Sequence, residues 1–560
     1  MGQGHGRVLA IGLDSIDEED LLARLAAGQM PNLAALRDRG TWASLSVDER
    51  CRSELPWLSL VTGLEAEALG QWTAAWFDPA TYEYGSHGAP DRQPFWSLAG
   101  DQPSVSLDVA GSTLARGAGT HVVDWFTHDP MHVRCSSPPD VLVDLDRRFG
   151  PNPARLLEYA GTWHDAAWVE RHRAACITSV DQRTEVVEHL LATTPGWRLG
   201  VVSFGEAHEL AHHAWHGVAP ESIAHDAPAA AAAGRALDEL HVALDAAVGR
   251  LTAGLEPNDV VVVFAPKGSE THSDVGTNVL GPELLHRAAF GEALLAQPDV
   301  DAWQRAGQPA LLVPRGSDYV AEMRTRRGER RRGIDALRAA AHRTMSRLVP
   351  ERVERRRARR DAPLPWSPPD PEDVGPVRGT LLYDEWLVST WYRPWWPRMR
   401  AFAIPSFSDL HVRINVEGRE RDGVVPVAEY EQACDEVESL FRACSSLRTG
   451  RPAISAVDRP RGADPFLEVG LDADVVLTWA EDLDGLVHPD VGPVGPYPAW
   501  RTSGHAARGF ALFAGGDVGH GRVEGPRVVD VPATLLDLAG VEPATPIDGT
   551  PIALVRRVPA

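Results

Sequence analysis

The chain has 560 residues, of which 44% are hydrophobic, and a formal net charge of −23 at neutral pH. This length allows several domains or one large α/β domain with insertions, and the apolar content suffices for a sizeable core. The negative balance argues against nucleic acid or an anionic membrane as main partner, and no apolar run approaches the roughly 18 residues of a membrane span.

In chain order, the first element is the run RVLAIGLDS (7–15), which reads as a buried strand ending in Asp14. The preceding residues lack a cationic start followed by a long apolar stretch, so no signal peptide and a cytoplasmic location are expected. Residues 17–40 follow as a helical pattern with an acidic start and a Gly stop. Further buried-strand runs are WRLGVVSFGEAH (197–208), NDVVVVFAPKG (258–268), ADVVLTWA (473–480) and GFALFAGG (509–516), with a second clear helix at 229–254. Continuous apolar runs alternating with helices predict a doubly wound, mostly parallel central sheet with function at the carboxyl ends of its strands.

The middle of the chain differs. Residues 323–360 form a strongly basic helical pattern, readable as a solvated or interdomain helix or as an anionic docking surface. A proline-rich linker follows at 361–376. The stretch WYRPWWPRMRAFAIPSF (391–407) reads as core or interface, or as a pocket lining. There are no internal repeats. Cys51, Cys135, Cys176, Cys434 and Cys444 are too few and scattered for a disulfide framework or a thiolate zinc site, and read as buried thiols in a reducing compartment.

The strand ends carry the chemistry. The first delivers Asp14; the second delivers Glu206, His208, His212, His213 and His216. His208 and His212 are spaced i, i+4 and share a face on a helical turn, a good spacing for two neutral imidazole ligands. His505, before the run at 509–516, completes a three-histidine set with open positions for water or substrate. The third strand delivers Lys267, the one lysine in a chain with 55 basic residues. Codon preference explains why lysine is rare but not why the survivor sits at a strand end.

These residues resemble the alkaline phosphatase superfamily, in its type I phosphodiesterase/nucleotide pyrophosphatase branch. VLAIGLDS with MPNLAALRDRGTWASL resembles the opening strand, metal-binding Asp and first helix. SELPWLSLVTG resembles the nucleophile segment, and GRERDGVVPVAEY and VVDVPATLLDLAGVEPATPIDGTPI resemble later segments. The resemblance implies a two-metal site, usually zinc, and a Ser or Thr nucleophile. It places one metal on His208, His212 and His505, with His208 where the family has Asp. It places Asp14 and the nucleophile Ser53 at the other metal. The family's Asp-His pair there falls on Pro266 and Lys267, so two ligands of that metal are missing. One divalent metal, zinc, is therefore expected. Lys267 is expected to replace the other with a compact fixed charge, or else to act as a base.

Ser53 also reads as a helix N-cap, which is compatible with a nucleophile at a helix N-terminus; Pro56 stands one residue later than the family's usual proline. Arg52 is a candidate substrate contact or a solvated arginine. Glu206 and His216 are candidate partners that orient ligands, and His272 is a reserve ligand. Three functions follow: a hydrolase of a phosphoester, phosphodiester or sulfate ester; a transferase of specialised metabolism on the same site; or a binding protein that lost its chemistry. The expected substrate is an anionic small molecule. The expected division is a core at 1–270, an inserted cap at 271–465 and the remainder of the core at 466–560.

Overall fold

The computed structural model describes residues 6–47, 55–87, 92–125, 134–154, 163–313, 319–328 and 387–557. Arg52, Ser53, most of the basic stretch and the linker 361–376 lie outside the described residues; of the basic stretch, 323–328 lie within them, the end of the helix Tyr319–Arg326 and the two residues after it.

Nine strands build the main sheet: Val8–Leu13 (β1), Thr41–Ser46 (β2), Ser104–Leu107 (β3), Gly119–Val123 (β4), Cys135–Ser137 (β5), Leu199–Phe204 (β6), Val260–Ala265 (β7), Arg508–Gly515 (β8) and Gly521–Arg527 (β9). Their order is β9-β2-β8-β7-β1-β6-β3-β4-β5. From β7 to β4 every pairing is parallel, and β2 with β9 is parallel as well. The sheet is mostly parallel and flanked by helices on both faces, as the alternating runs predict.

The two faces follow from the period of two along each strand. Leu9, Ile11 and Leu13 of β1, with Val261, Val263 and Ala265 of β7, bury one face against the helices Ala166–Thr193 (α3), Glu206–Ala214 (α4) and Ala230–Thr252 (α5). Val8, Ala10, Val260, Val262 and Phe264 bury the opposite face with Trp57, Leu60 and Val61 of the helix Leu55–Thr62 (α2). All six residues of β1 are buried, and each large aliphatic there stabilises the fold by roughly 1.5–3 kcal/mol.

Three sequence expectations need correction. The helical pattern at 17–40 is two helices, Glu18–Ala26 (α1) and Pro31–Arg37, because Gly28 takes φ 73° and Pro31 opens the second. β8, expected as a parallel strand, runs antiparallel to both β7 and β2. Val475–Trp479 does not join the main sheet. It pairs antiparallel with Leu410–Ile414 and Ile454–Asp458 in a separate four-stranded sheet. A strand covered on both faces reads as a continuous apolar run in any sheet, so the run encodes burial and not partner or direction. The expected boundary at 465/466 falls within the chain of this second sheet. Its core holds Trp391, Tyr392 and Trp396, and Trp396 stacks on Phe402 at 4.9 Å. Among the described residues no helix is long and apolar enough to cross a membrane.

Burial holds several histidines neutral. His121 and His411 are pushed down to about 4 and His216 to about 3. Each folded pKa lies below the ordinary value, so the stability these groups contribute is present above about pH 6.5 and is lost as pH falls. Between pH 6.5 and pH 5 each loses about 2 kcal/mol, because the unfolded chain takes up protons the folded chain refuses. In chelator, the urea midpoint is expected to drop markedly from pH 7 to pH 5; an unchanged midpoint would contradict these burials.

Candidate metal centre and active site

Three neighbouring parallel strands, β6, β1 and β7, end along one edge of the sheet. Asp14 follows β1, α4 opens at Glu206 just past β6, and Lys267 stands two residues past β7. After Lys267 the chain continues as Gly268–Thr271, which pairs antiparallel with Ser503–Ala506 and sets Ser269 opposite His505. This pairing carries His505 to the edge where α4 begins.

α4 then presents His208 and His212 one turn apart, with ring centroids 4.5 Å from each other and 4.9 and 5.2 Å from His505. One ring nitrogen of each lies within 4.8 Å of the others, and the three side chains are buried. His212 Nδ1 is 2.9 Å from the Ser503 carbonyl, which can only accept, so Nδ1 carries the proton and Nε2 holds a lone pair. His208 Nδ1 is 3.2 Å from Asp14 Oδ2 and 3.0 Å from Ser15 Oγ. In the neutral imidazole, donating to the carboxylate leaves His208 Nε2 with a lone pair as well. The two Nε2 atoms face each other at 3.0 Å. Two lone pairs at that distance repel unless a positive species stands between or beside them.

The residues therefore fit a divalent metal. The donors are imidazoles, two are oriented through their far nitrogens by a carboxylate and a carbonyl, and His505 Nδ1 is buried without a hydrogen-bond partner among the described residues. Burial, reinforced by the charge of Lys267 and by the other two histidines, holds the His505 imidazole neutral well below its ordinary value, the state a ligand needs. Lys267 is fully buried. A buried ammonium that repels the proton of His505 stands close to the cluster.

Asp14 has a further tie. The Trp57 indole N–H donates to Asp14 Oδ1 at 2.7 Å, which anchors α2 to the end of β1. Gly12 permits this approach: a Cβ there would lie 2.9 Å from Trp57 and 3.1 Å from Phe264. Ser53 precedes α2 in sequence but lies outside the described residues, as does Arg52.

The structure also brings in residues that sequence reasoning missed. Arg501 is buried; its Nη1 lies 3.3 Å from His212 Nε2, and its Nη2 is ion-paired with Asp274. Asp274 Oδ1 is 2.8 Å from His272 Nδ1. Burial pushes the Asp274 carboxyl up, but Arg501 and His272 override it and hold it well below the usual carboxylate range. Burial likewise lowers His272, and the bond to Asp274 outweighs it and raises the imidazole. His272 is thus bound to Asp274. Ser15 and Asp274 both take positive φ, 61° and 58°, a non-glycine conformation that concentrates at functional turns. No local sequence pattern marks Arg501 or Asp274.

Other candidates lie elsewhere. Glu206 accepts from Arg183 Nε at 2.9 Å and from Ser179 Oγ at 2.5 Å, and Arg183 is paired in turn with Asp108. Glu206 therefore faces α3, away from the histidine cluster. His213 faces the same side, 5.0 Å from the Trp168 ring. His216 contacts Thr502 Oγ1 at 3.4 Å and packs on Trp163.

The model of the type I phosphodiesterase/nucleotide pyrophosphatase family matches residues 8–353, and the chain belongs to that family, a family of phosphoester-hydrolysing enzymes. No curated protein matches the chain in sequence. Among solved structures, murine ectonucleotide pyrophosphatase/phosphodiesterase 5 is 11% identical with a TM-score of 0.44, covering 97% of each chain. An inactive variant of that enzyme in complex with AMP is 12% identical, with a TM-score of 0.43 and the same coverage. A multiply substituted mutant of the alkaline phosphatase PafA is 11% identical with a TM-score of 0.47, covering 99% of this chain and 100% of its own. Likeness at this level assigns no residue role.

Proposed function

We propose that this chain hydrolyses a phosphoester, phosphodiester or sulfate ester of an anionic small molecule, using one zinc ion held by His208, His212 and His505. Two imidazole nitrogens facing each other at 3.0 Å, each with its far nitrogen turned to an acceptor, carry this reading. When bound, the metal supplies Lewis-acid stabilisation of charge on a substrate oxygen.

The chain's own residues supply the rest. Asp14 and the Ser503 carbonyl orient His208 and His212. Ser53 is the nucleophile, and Lys267 offers it a fixed positive charge that favours the alkoxide. Family members place an Asp-His pair where this chain has Pro266 and Lys267, and neither a proline side chain nor an ammonium offers a metal ligand. An ammonium at that point stabilises developing negative charge without a second ion. Lysine, as a compact point charge, suits the position better than the planar arginine used elsewhere in the chain. Burial of Asp14, Lys267 and the three histidines keeps water from screening these charges.

The test is metal stoichiometry with activity. Purified protein is expected to hold about one zinc per chain, and chelation is expected to abolish hydrolysis of bis(p-nitrophenyl) phosphate, p-nitrophenyl phosphate or p-nitrophenyl sulfate, whichever it cleaves. Full activity in metal-free protein would refute the reading.

A further inference from the structure

Arg501 is 4% exposed, yet its N–H groups are only partly used. Nη2 pairs with Asp274, and Nη1 points at the His212 Nε2 lone pair from 3.3 Å. Among the described residues, Nε meets no acceptor in hydrogen-bond geometry. Asp274 is shared, since its other oxygen faces His272 Nδ1 at 2.8 Å. One carboxylate thus serves two partners, and the guanidinium keeps Nη1 directed at the histidine cluster.

This arrangement changes when His212 Nε2 binds a metal. The lone pair is then committed, and Arg501 loses the acceptor for Nη1. A buried guanidinium left with unmade hydrogen bonds is costly, and an oxyanion at the cluster relieves it with short charge-assisted bonds. Conversely, an oxyanion that occupies Arg501 frees His212 Nε2 for a metal.

We propose that Arg501 receives the anionic head of the ligand, a phosphate-type oxyanion, and thereby couples anion binding to metal binding; this rests on the metal reading above. Asp274 and His272 are positioning residues that aim the guanidinium. The coupling is reciprocal, so either ligand tightens the other by the same factor.

The experiment measures zinc affinity in a chelator buffer of fixed free zinc, with and without inorganic phosphate. In the wild type, phosphate is expected to tighten zinc binding on the order of tenfold or more. In Arg501→Gln, zinc alone binds as tightly or more tightly, because a competitor for His212 Nε2 is gone. The phosphate effect there shrinks by about tenfold relative to the wild type. Arg501→Lys keeps a charge opposite Asp274, guards against misfolding, and gives an intermediate effect because it lacks the planar fork. Asp274→Asn is expected to weaken the phosphate effect while leaving zinc binding alone in place. A phosphate effect equal in wild type and Arg501→Gln overturns the proposal, as does a wild type that binds zinc indifferently to phosphate; the metal reading survives both. Failure of the wild type to bind zinc removes both.

Discussion

Replacing Lys267 with methionine is expected to slow hydrolysis by about a thousandfold, an effect of about 4 kcal/mol on the barrier, while bound zinc stays at the wild-type level. Methionine has nearly the length of lysine and no charge, so the substitution removes the ammonium and leaves the packing. Lys267 helps hold the His505 imidazole neutral, and its removal takes a repelling cation away from the cluster. Zinc should therefore bind at least as tightly, which separates this loss from general unfolding. Lys267→Arg distinguishes the two roles open to the lysine. An arginine keeps the charge and cannot serve as a base at neutral pH, so partial activity favours the fixed charge and complete loss favours proton transfer. The paired change Pro266→Asp with Lys267→His restores the family's ligand types and is expected to raise the metal content toward two per chain. A fully active Lys267→Met would leave the lysine without a catalytic role.

Much of this candidate site could be read from the sequence because its residues follow strands that announce themselves. The runs 7–15, 197–208 and 258–268 are β1, β6 and β7, adjacent and parallel, and their ends bring Asp14, His208 and Lys267 to one edge. The i, i+4 spacing of His208 and His212 survives because α4 begins immediately after β6. The same helix shows where such reading stops. Glu206, Glu209 and His213 lie at i, i+3 and i+7, on the face turned to α3, where Glu209 meets His172 at 3.1 Å. Helical spacing separates the two faces but does not say which one meets the site; α3 decides that. Arg501 and Asp274 were hidden for a different reason. An ion pair between two loop residues far apart in the chain leaves no periodic trace, and a chain rich in arginine gives one arginine no distinction. The antiparallel course of β8 and the second-sheet membership of Val475–Trp479 were also unreadable, because apolar content reports burial alone.

Replacing His505 with alanine is expected to reduce bound zinc to near zero and to remove the stabilisation that zinc gives the wild type. Zinc at about a thousand times its dissociation constant stabilises a one-site protein by about 4 kcal/mol, so the wild-type unfolding midpoint should rise with added zinc. The variant retains only His208 and His212, and its midpoint should stay flat. Without metal the order changes. His505 is then a buried imidazole with an unmade hydrogen bond at Nδ1, crowded by the positive charges of Lys267 and Arg501. Removing it opens a cavity but also relieves an unsatisfied polar atom, two opposing effects of similar size. The metal-free variant should therefore unfold within about 1 kcal/mol of the metal-free wild type. A zinc-dependent rise of equal size in both proteins would place the metal elsewhere, and a large loss of stability in the metal-free variant would make His505 a structural residue first. Loss of the zinc response with the metal-free midpoint preserved is the combination a metal ligand requires.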